Sequence, residues 1–266
     1  MSWIMRCLAA VALLMGMAVP ASASRVSPMI LDLEPTGRSS IARVELVNDG
    51  LNDIPYEVQM MRGIISPEGK LQLTPADAEF VVFPAQTLVQ SNSQQVFRIQ
   101  YVGEGALDRS EVYYMSIRQI PVAFKPGVSQ VQMVINYNVL VNVVPDGSRP
   151  EPVVRSALVE TRLVEEEGSS EVPEAGDEIG DEPAATANGL TIDLGNSGSR
   201  YFLAGLSNWT ISGTTVAGEP YEARYSGDEM SRVIGVGVVA PDANRVFFVP
   251  TGEPLRPDGI TISVEP

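Results

Sequence analysis

The stretch VQMVINYNVLVNV, residues 131–143, decides the fold because its apolar side chains fall on every second residue. A period of two places these side chains on one side of an extended strand roughly 40 Å long, at about 3.3 Å per residue. Ordinary strands are about half that length. The alternating side chains are Val131, Met133, Ile135, Tyr137, Val139, Val141 and Val143. Such a strand is either the central strand of a large sandwich or an edge on which another chain's strand can be laid.

Short strands separated by turn signals precede this stretch, and helical periodicity is nearly absent. The turn signals include Glu34-Pro35-Thr36-Gly37 and Pro67-Glu68-Gly69-Lys70. We predict strands at 26–33, 42–48, 56–61, 80–83, 94–101 and 111–120. Seven or eight strands within roughly 120 residues, with no helix between them, predict an immunoglobulin-like sandwich.

The second half of the chain is also predicted to be all β. Prolines flank residues 146–151, which are predicted to be a hinge between residues 24–145 and residues 152–266. Strands are predicted at 152–164, 189–194, 201–206, 210–211, 221–225, 233–239, 245–249 and 260–264. The predicted fold class is therefore all-β, with two immunoglobulin-like β-sandwich domains.

The N-terminus has the pattern of a cleaved signal peptide, predicted at residues 1–23. Arg6 precedes an apolar run at 7–19, and Ala21 and Ala23 form the small-x-small pattern that signal peptidase recognises. The run is shorter than the roughly 20 residues of a membrane span. We therefore expect an exported protein that works in the periplasm and is not inserted in a membrane.

Composition excludes several classes of function. The formal net charge is −15, so nucleic acid is not an expected partner, because phosphate binding requires a basic surface. The chain has no histidine, and its one cysteine, Cys7, lies in the predicted signal peptide. Zinc sites, histidine bases and serine or cysteine triads are thereby excluded. We expect no enzymatic activity, no cofactor and no metal.

Residues 165–187 form an acidic loop with interleaved glycine, serine and proline and few apolar residues. Such a segment buries too little surface to order itself, so a solvated, disordered loop is predicted. A calcium site of oxygen ligands is the alternative, although the acids lack the glycine spacing of a known calcium loop.

The order of these features resembles the PapD-like proteins, the periplasmic chaperones of the chaperone/usher pathway of pilus assembly. The residues that carry the resemblance are Val26-Ser27-Pro28, Val44 to Asn48, Pro84, Arg98 within Phe-Arg-Ile, Tyr113-Tyr114, Arg118-Gln119-Ile120-Pro121, the long strand ending at Pro145, and the run from Arg245 to Pro250. The resemblance covers nearly the whole chain after residue 23.

The resemblance implies a chaperone that lends a strand to pilus subunits and delivers them to an outer-membrane usher. A pilus subunit lacks its last strand, and the chaperone's long strand would fill the gap by donor-strand complementation. The donated side chains would be Val131, Met133 and Ile135, with Tyr137 and Val139 as either further donors or core contacts. A self-capping homodimer of the free chaperone is a further expectation.

The chain departs from the family where the subunit's terminal carboxylate is held. The two basic positions of the family correspond here to Asp32 and Leu140, and neither residue is basic. Arg118 is the predicted substitute, with Arg98 second, because a guanidinium can hold a carboxylate through two hydrogen bonds. An ion pair within the protein is the alternative role of both arginines.

Two other functions are compatible with an exported all-β chain. A fibre subunit or adhesin would have an incomplete domain, an apolar tail directly after the signal peptide and often a disulfide. A secreted carbohydrate-binding sandwich, or a glycosidase with paired carboxylates, would need functional groups that no motif indicates here.

Overall fold

The computed structural model describes residues 24–121, 134–163 and 186–266. Val131, Met133, the predicted signal peptide and the acidic loop up to residue 185 lie outside the described residues. Within the three described ranges, no helix is long and apolar enough to cross a membrane.

Ten strands are present in the described residues of the first domain. They are β1 (Arg25–Ser27), β2 (Ile30–Leu33), β3 (Ile41–Asn48), β4 (Ile54–Ile65), β5 (Leu71–Pro75), β6 (Phe80–Phe83), β7 (Gln86–Val89), β8 (Ser93–Tyr101), β9 (Glu111–Gln119) and β10 (Asn136–Val143). One sheet has the order β1-β3-β8-β6. The other has the order β2-β10-β9-β4, with β5 and β7 pairing to opposite ends of β4. The two sheets form the predicted sandwich.

The predicted first strand, 26–33, is divided between the two sheets. Val26 in β1 pairs with Leu46 of one sheet, whereas β2 runs parallel to β10 in the other. Pro28 lies at the transition and has no N–H to donate to a ladder, which explains why the strand is interrupted there. Apolar residues lie on both sides of the break, at Val26 and at Ile30, Leu31 and Leu33, so the sequence alone indicated a single strand.

The inward-facing side chains of both sheets form the core of the first domain. Val44, Leu46, Phe97, Ile99, Met115 and Ile117 are completely buried there. Tyr113 lies edge-on to Phe80, with ring centroids 4.8 Å apart. Tyr113 is thus a core residue.

Within residues 152–163 and 186–266, the second domain has eight strands and one α-helix. The strands are β11 (Pro152–Leu163), β12 (Thr186–Asn196), β13 (Phe202–Leu203), β14 (Asn208–Thr214), β15 (Pro220–Tyr225), β16 (Val238–Val239), β17 (Asn244–Pro250) and β18 (Thr261–Glu265). They form the sheets β11-β12-β17 and β15-β14-β18 and the pair β13-β16. Trp209 is buried at their centre and donates a 2.7 Å hydrogen bond to the Ala204 carbonyl.

The prediction of a strand at 233–239 is wrong over its first half. The chain forms helix α1 (Gly227–Ile234) there, and only Val238–Val239 is extended. Ser226 accepts a hydrogen bond from the Glu229 amide and Glu229 returns one, which is a capping box. This Ser-x-x-Glu signal is present in the sequence, and the apolar residues after it obscured it.

The acidic loop is shorter at its end than predicted. Thr186 and Ala187 belong to β12, where Thr186 pairs with Leu163 at the end of β11. The two ends of the loop therefore meet in an antiparallel hairpin. The domain boundaries 24–145 and 152–266, with a hinge at 146–151, stay a prediction.

A buried asparagine closes the same kind of turn in each domain. The Asn48 amide donates to the carbonyls of Asn52, Val89 and Gln90 at 2.9–3.1 Å and accepts from the Gly50 N–H. Asn196 occupies the corresponding strand end of the second domain. Its partners are the carbonyls of Arg200 and Val239 and the amides of Glu151 and Gly198.

Candidate functional site

The candidate donor strand ends in β10. Ile135, just before β10, is 36% exposed, and its backbone pairs loosely with Gln119 of β9. Val131 and Met133 precede the described part of this segment, so their positions stay a prediction. Ile135 is the one predicted donor side chain that the structure describes at the surface.

One edge of β10 is open over its first half. β9 pairs with β10 along its full length, from Asn136 to Val143. On the opposite edge, β2 pairs only with residues 140–143, beginning with the Leu140 amide on the Met29 carbonyl at 2.9 Å. No other described strand pairs with residues 136–139 on that side. An unpaired strand edge is a template for another chain's strand.

The alternating side chains of β10 face the core of the first domain. Val139, Val141 and Val143 are completely buried. Val139 was predicted as either a further donor or a core contact, and its complete burial in the core favours the second role, because a fully buried core side chain cannot enter a partner's groove. Tyr137 is half-buried, and its hydroxyl donates a 2.5 Å hydrogen bond to the Ser24 carbonyl. The available donor side chains therefore precede Tyr137.

The cleft between the domains contains a polar cluster around Asp32. Asp32 Oδ2 lies 2.6 Å from the Arg200 guanidinium, and Asp32 Oδ1 accepts a 2.5 Å hydrogen bond from the Tyr201 hydroxyl. The amide of Asn142, which is opposite Asp32 in the β2–β10 register, lies 3.3 Å from Oδ1. Burial raises the pKa of the Tyr201 hydroxyl, and the hydrogen bond that this hydroxyl donates to the Asp32 carboxylate raises it further. The cluster joins the two domains.

Two cavities flank the Asp32–Arg200 pair. One of about 420 Å³ is lined by Pro150, Leu203, Leu206 and Ser207 together with Arg200. The other, of about 390 Å³, lies along the predicted hinge between Glu34 and Ser148. Arg200 lines both cavities, so its side chain brings a positive charge to this cleft.

The predicted anchor residues lie elsewhere. Arg118 is opposite Asn136 in the β9–β10 register, six residues from Asn142 and hence roughly 20 Å from the cleft. Its guanidinium forms a 3.1 Å ion pair with Glu57. Arg98 projects from the outer face of β8, opposite Arg43, because its neighbours in the strand point into the core. Neither arginine reaches Asp32.

Leu140 also lies at the boundary between the domains. It packs with Val112, Tyr114 and Val144 of the first domain and with Tyr201 and Val238 of the second in an apolar cluster. Its position in the family's pattern is therefore used for contact between the domains and carries no charge. Sequence reasoning identified Asp32 and Leu140 as unusual, but the partnership with Arg200 and Tyr201 was missed.

Further contacts fix the second domain against the first. The Ser110 hydroxyl accepts a 2.7 Å hydrogen bond from the Tyr201 amide, and the Ser110 amide donates to Ser199 at 2.8 Å. Arg109 pairs with Asp242. In the described part of the chain, no group of three or more acidic residues is placed to hold a metal ion.

The comparisons with known proteins agree with this geometry. Residues 34–149 match the family "Pili and flagellar-assembly chaperone, PapD N-terminal domain". This stretch includes the strands from β3 to β10, the open edge among them. Residues 34–149 are therefore similar to the N-terminal domain of PapD-like pilus-assembly chaperones, which agrees with the resemblance seen in the sequence. The family is one of assembly chaperones and not of enzymes. A comparison with curated proteins finds no match.

Solved structures with a similar fold are also chaperones. The class 5 fimbriae chaperone CfaA is 12% identical over 92% of this chain and 99% of its own, with a TM-score of 0.50. The chaperone YadV is 14% identical over 91% of each chain, also at 0.50. A chain from the Salmonella enterica SafA pilin–SafB chaperone complex is 16% identical over 93% of this chain and 98% of its own, at 0.47. The likeness to CfaA and YadV establishes the fold alone, which is the predicted two-domain, all-β, immunoglobulin-like one.

Proposed function

We propose that this protein is a periplasmic chaperone that binds pilus or fimbrial subunits by donor-strand complementation. The open edge of β10 at residues 136–139 carries the proposal. A subunit that lacks a strand needs both backbone partners and apolar side chains, and this edge offers the first next to a segment that offers the second. The predicted signal peptide supports the periplasm as the place of action.

Val131, Met133 and Ile135 are proposed as the donated side chains. Full burial of three such side chains would contribute roughly 5 to 9 kcal/mol before the costs of association, at about 1.5 to 3 kcal/mol each. Tyr137 would mark the end of the donated segment, since it is tied to Ser24. Alternation places Val134 and Asn136 on the opposite face.

Arg200 is the proposed anchor for the subunit's terminal carboxylate, in place of Arg118 and Arg98. A subunit strand laid on the open edge can pair with β10 only as far as Met29, because β2 pairs with β10 from that point on. The interdomain cleft begins two to three residues further along β2, at Asp32. Arg200 is shared there between Asp32 and open space, and a guanidinium with five donors can hold a second carboxylate.

The anchor is tested by measuring the affinity of a subunit with a free or an amidated C-terminus for the native protein, Arg200→Ala and Arg118→Ala. If Arg200 holds the carboxylate, amidation and Arg200→Ala each weaken binding and their effects do not add, whereas Arg118→Ala adds to amidation. The reverse pattern would assign the anchor to Arg118.

Delivery of the bound subunit to an outer-membrane usher is part of the same proposal and rests on the family alone. The open edge would also allow two free copies to cap each other as a homodimer. The alternative function as a fibre subunit loses support. A fibre subunit would lack the last strand of its domain, but here β10 pairs along its whole length with β9.

The test is co-expression with a pilus subunit that lacks its last strand. We expect a one-to-one complex in which the subunit stays soluble and the amides of residues 134–139 become protected from hydrogen exchange. A complex that leaves these amides unprotected would contradict strand donation at this edge.

A further inference from the structure

A further cavity, separate from the two beside Arg200, lies between the two domains on the side of β4 and β9. Its volume is about 170 Å³. Both domains contribute to its wall, through Ile64, Ile65 and Val112 on one side and Val238, Ala240 and Arg245 on the other. The cleft at Asp32 is formed by β2 and β10, so the two sites are distinct.

Arg245 is the charged residue of this cavity, and its charge is not compensated. Its Nε is buried without a hydrogen-bond partner, and one terminal nitrogen donates to the Val238 carbonyl at 3.1 Å. The guanidinium also lies 5.3 Å from the centre of the Phe247 ring. None of the ion pairs among the described residues includes Arg245. A half-buried cation without an anion is unusual, because desolvation is costly.

Tyr114 provides a second polar group beside the cavity. Its ring lies over Gly63, since a Cβ on that glycine would be only 2.5 Å from the ring. Among the described residues its hydroxyl has no hydrogen-bond partner, and it interacts electrostatically with Arg245. Burial raises the pKa of Tyr114, so the hydroxyl keeps its proton and can act as a donor. Tyr114 is thus a second donor near the cavity, and none of the residues that line the cavity is acidic.

We propose that this cavity binds the carboxylate of a short aliphatic acid, with the carboxylate on Arg245 and the alkyl chain against Ile64, Val112 and Val238. The volume equals that of roughly five to six water molecules at about 30 Å³ each, which suits an acid of four or five carbons. The apolar wall and single cation favour a monoanion with a hydrocarbon tail over sulfate or phosphate. Because both domains line the site, an occupant stabilises their contact.

Titration calorimetry of the protein without its predicted signal peptide tests this, with pentanoate as the probe and pentanamide and sulfate as comparison ligands. We expect saturable binding of pentanoate, with pentanamide and sulfate at least tenfold weaker. Equal binding of sulfate, or no binding of pentanoate, overturns the proposal.

Three variants locate the site. Arg245→Met removes the cation, and Ala240→Leu fills the cavity while leaving Arg245 in place, so each should weaken pentanoate binding at least tenfold. Arg256→Met alters an exposed arginine elsewhere and should leave the affinity unchanged. Near-ultraviolet circular dichroism establishes that each variant is folded. If Arg245→Met is unfolded, Ala240→Leu decides, and unchanged binding by a folded Ala240→Leu overturns the proposal.

Discussion

The Asp32 carboxylate in the first domain lies 2.6 Å from the Arg200 guanidinium in the second domain. The two residues are 168 positions apart in the chain, so the pair closes a long-range contact across the cleft. Tyr201 donates to the other oxygen of the same carboxylate. An acid in β2 thus orders two consecutive residues of the second domain beside the edge that we propose receives the subunit.

Replacing Asp32 with Asn should lower the free energy of unfolding by about 1 to 2 kcal/mol. The ion pair itself contributes little because both side chains are more than a third exposed, and most of the loss comes from the charged hydrogen bond of Tyr201. Urea unfolding measures the change. Glu222→Gln, which breaks the exposed pair with Arg224, is the control and should change stability by less than about 0.5 kcal/mol. An equal effect of both substitutions would contradict a structural role for Asp32.

Replacing Asn48 with Ala should destabilise the first domain by roughly 3 kcal/mol, because three carbonyls and one N–H lose their partner in a buried turn. The exposed Asn208 provides the matched control, and Asn208→Ala should be within about 0.5 kcal/mol of the native protein. Both values come from the same denaturant titration. A loss below about 1 kcal/mol for Asn48→Ala would mean that water replaces the amide.

The protein should lose stability steeply above pH 10. Burial is the main cause that raises the pKa of seven tyrosines, and the pKa of Tyr221 rises to about 12. The others are Tyr56, Tyr101, Tyr113, Tyr114, Tyr137 and Tyr201. Since unfolded tyrosine ionises near pH 10, the native state holds more protons above that pH and stability falls as pH rises.

Tyrosinate absorbance and far-ultraviolet circular dichroism, followed together against pH, test the alkaline prediction. We expect most of the absorbance to develop in the same transition as unfolding. Reversible ionisation of all the tyrosines near pH 10 by a protein that stays folded would contradict it.

Replacing residues 164–185 with Asn-Gly should leave the fold intact and raise stability by at most about 2 kcal/mol. Leu163 and Thr186 are already paired, so a two-residue turn closes the same hairpin, and the gain is the smaller entropy of loop closure. Thermal unfolding measures the change. A large loss of stability, or calcium binding that disappears with the segment, would show that the acidic loop is a site.

Local patterns predicted most strands because alternation and turn residues act over a few positions. Strand β6 was predicted at the residues where it occurs, and β3, β8 and β9 within one residue. The break at Pro28 was missed because both halves of the predicted strand share one apolar pattern. Helix α1 was missed because its capping signal is short and apolar residues follow it.

The cleft could not be predicted, because its partners come from distant parts of the chain. No residue near Arg200 in the sequence indicates that it pairs with Asp32. Alignment with the family's pattern identified only the two positions, Asp32 and Leu140, at which the family's basic residue is absent. Likewise, the period of two assigned Val139 and Ile135 to one face. It could not show where that face passes from surface to core, which depends on packing against the other sheet of the sandwich.

The most direct measurement of strand donation compares two variants at adjacent positions. Ile135 and Val134 are about equally exposed, 36% and 41%, but alternation places them on opposite faces of the donated segment. The affinity for a pilus subunit is measured for Met133→Asp/Ile135→Asp and for Val134→Asp. The account predicts that the double variant loses at least a hundredfold in affinity, because each charge would enter an apolar pocket, while Val134→Asp binds within a few-fold of the native protein. Unchanged capture by the folded double variant, or equal losses in both proteins, would contradict it.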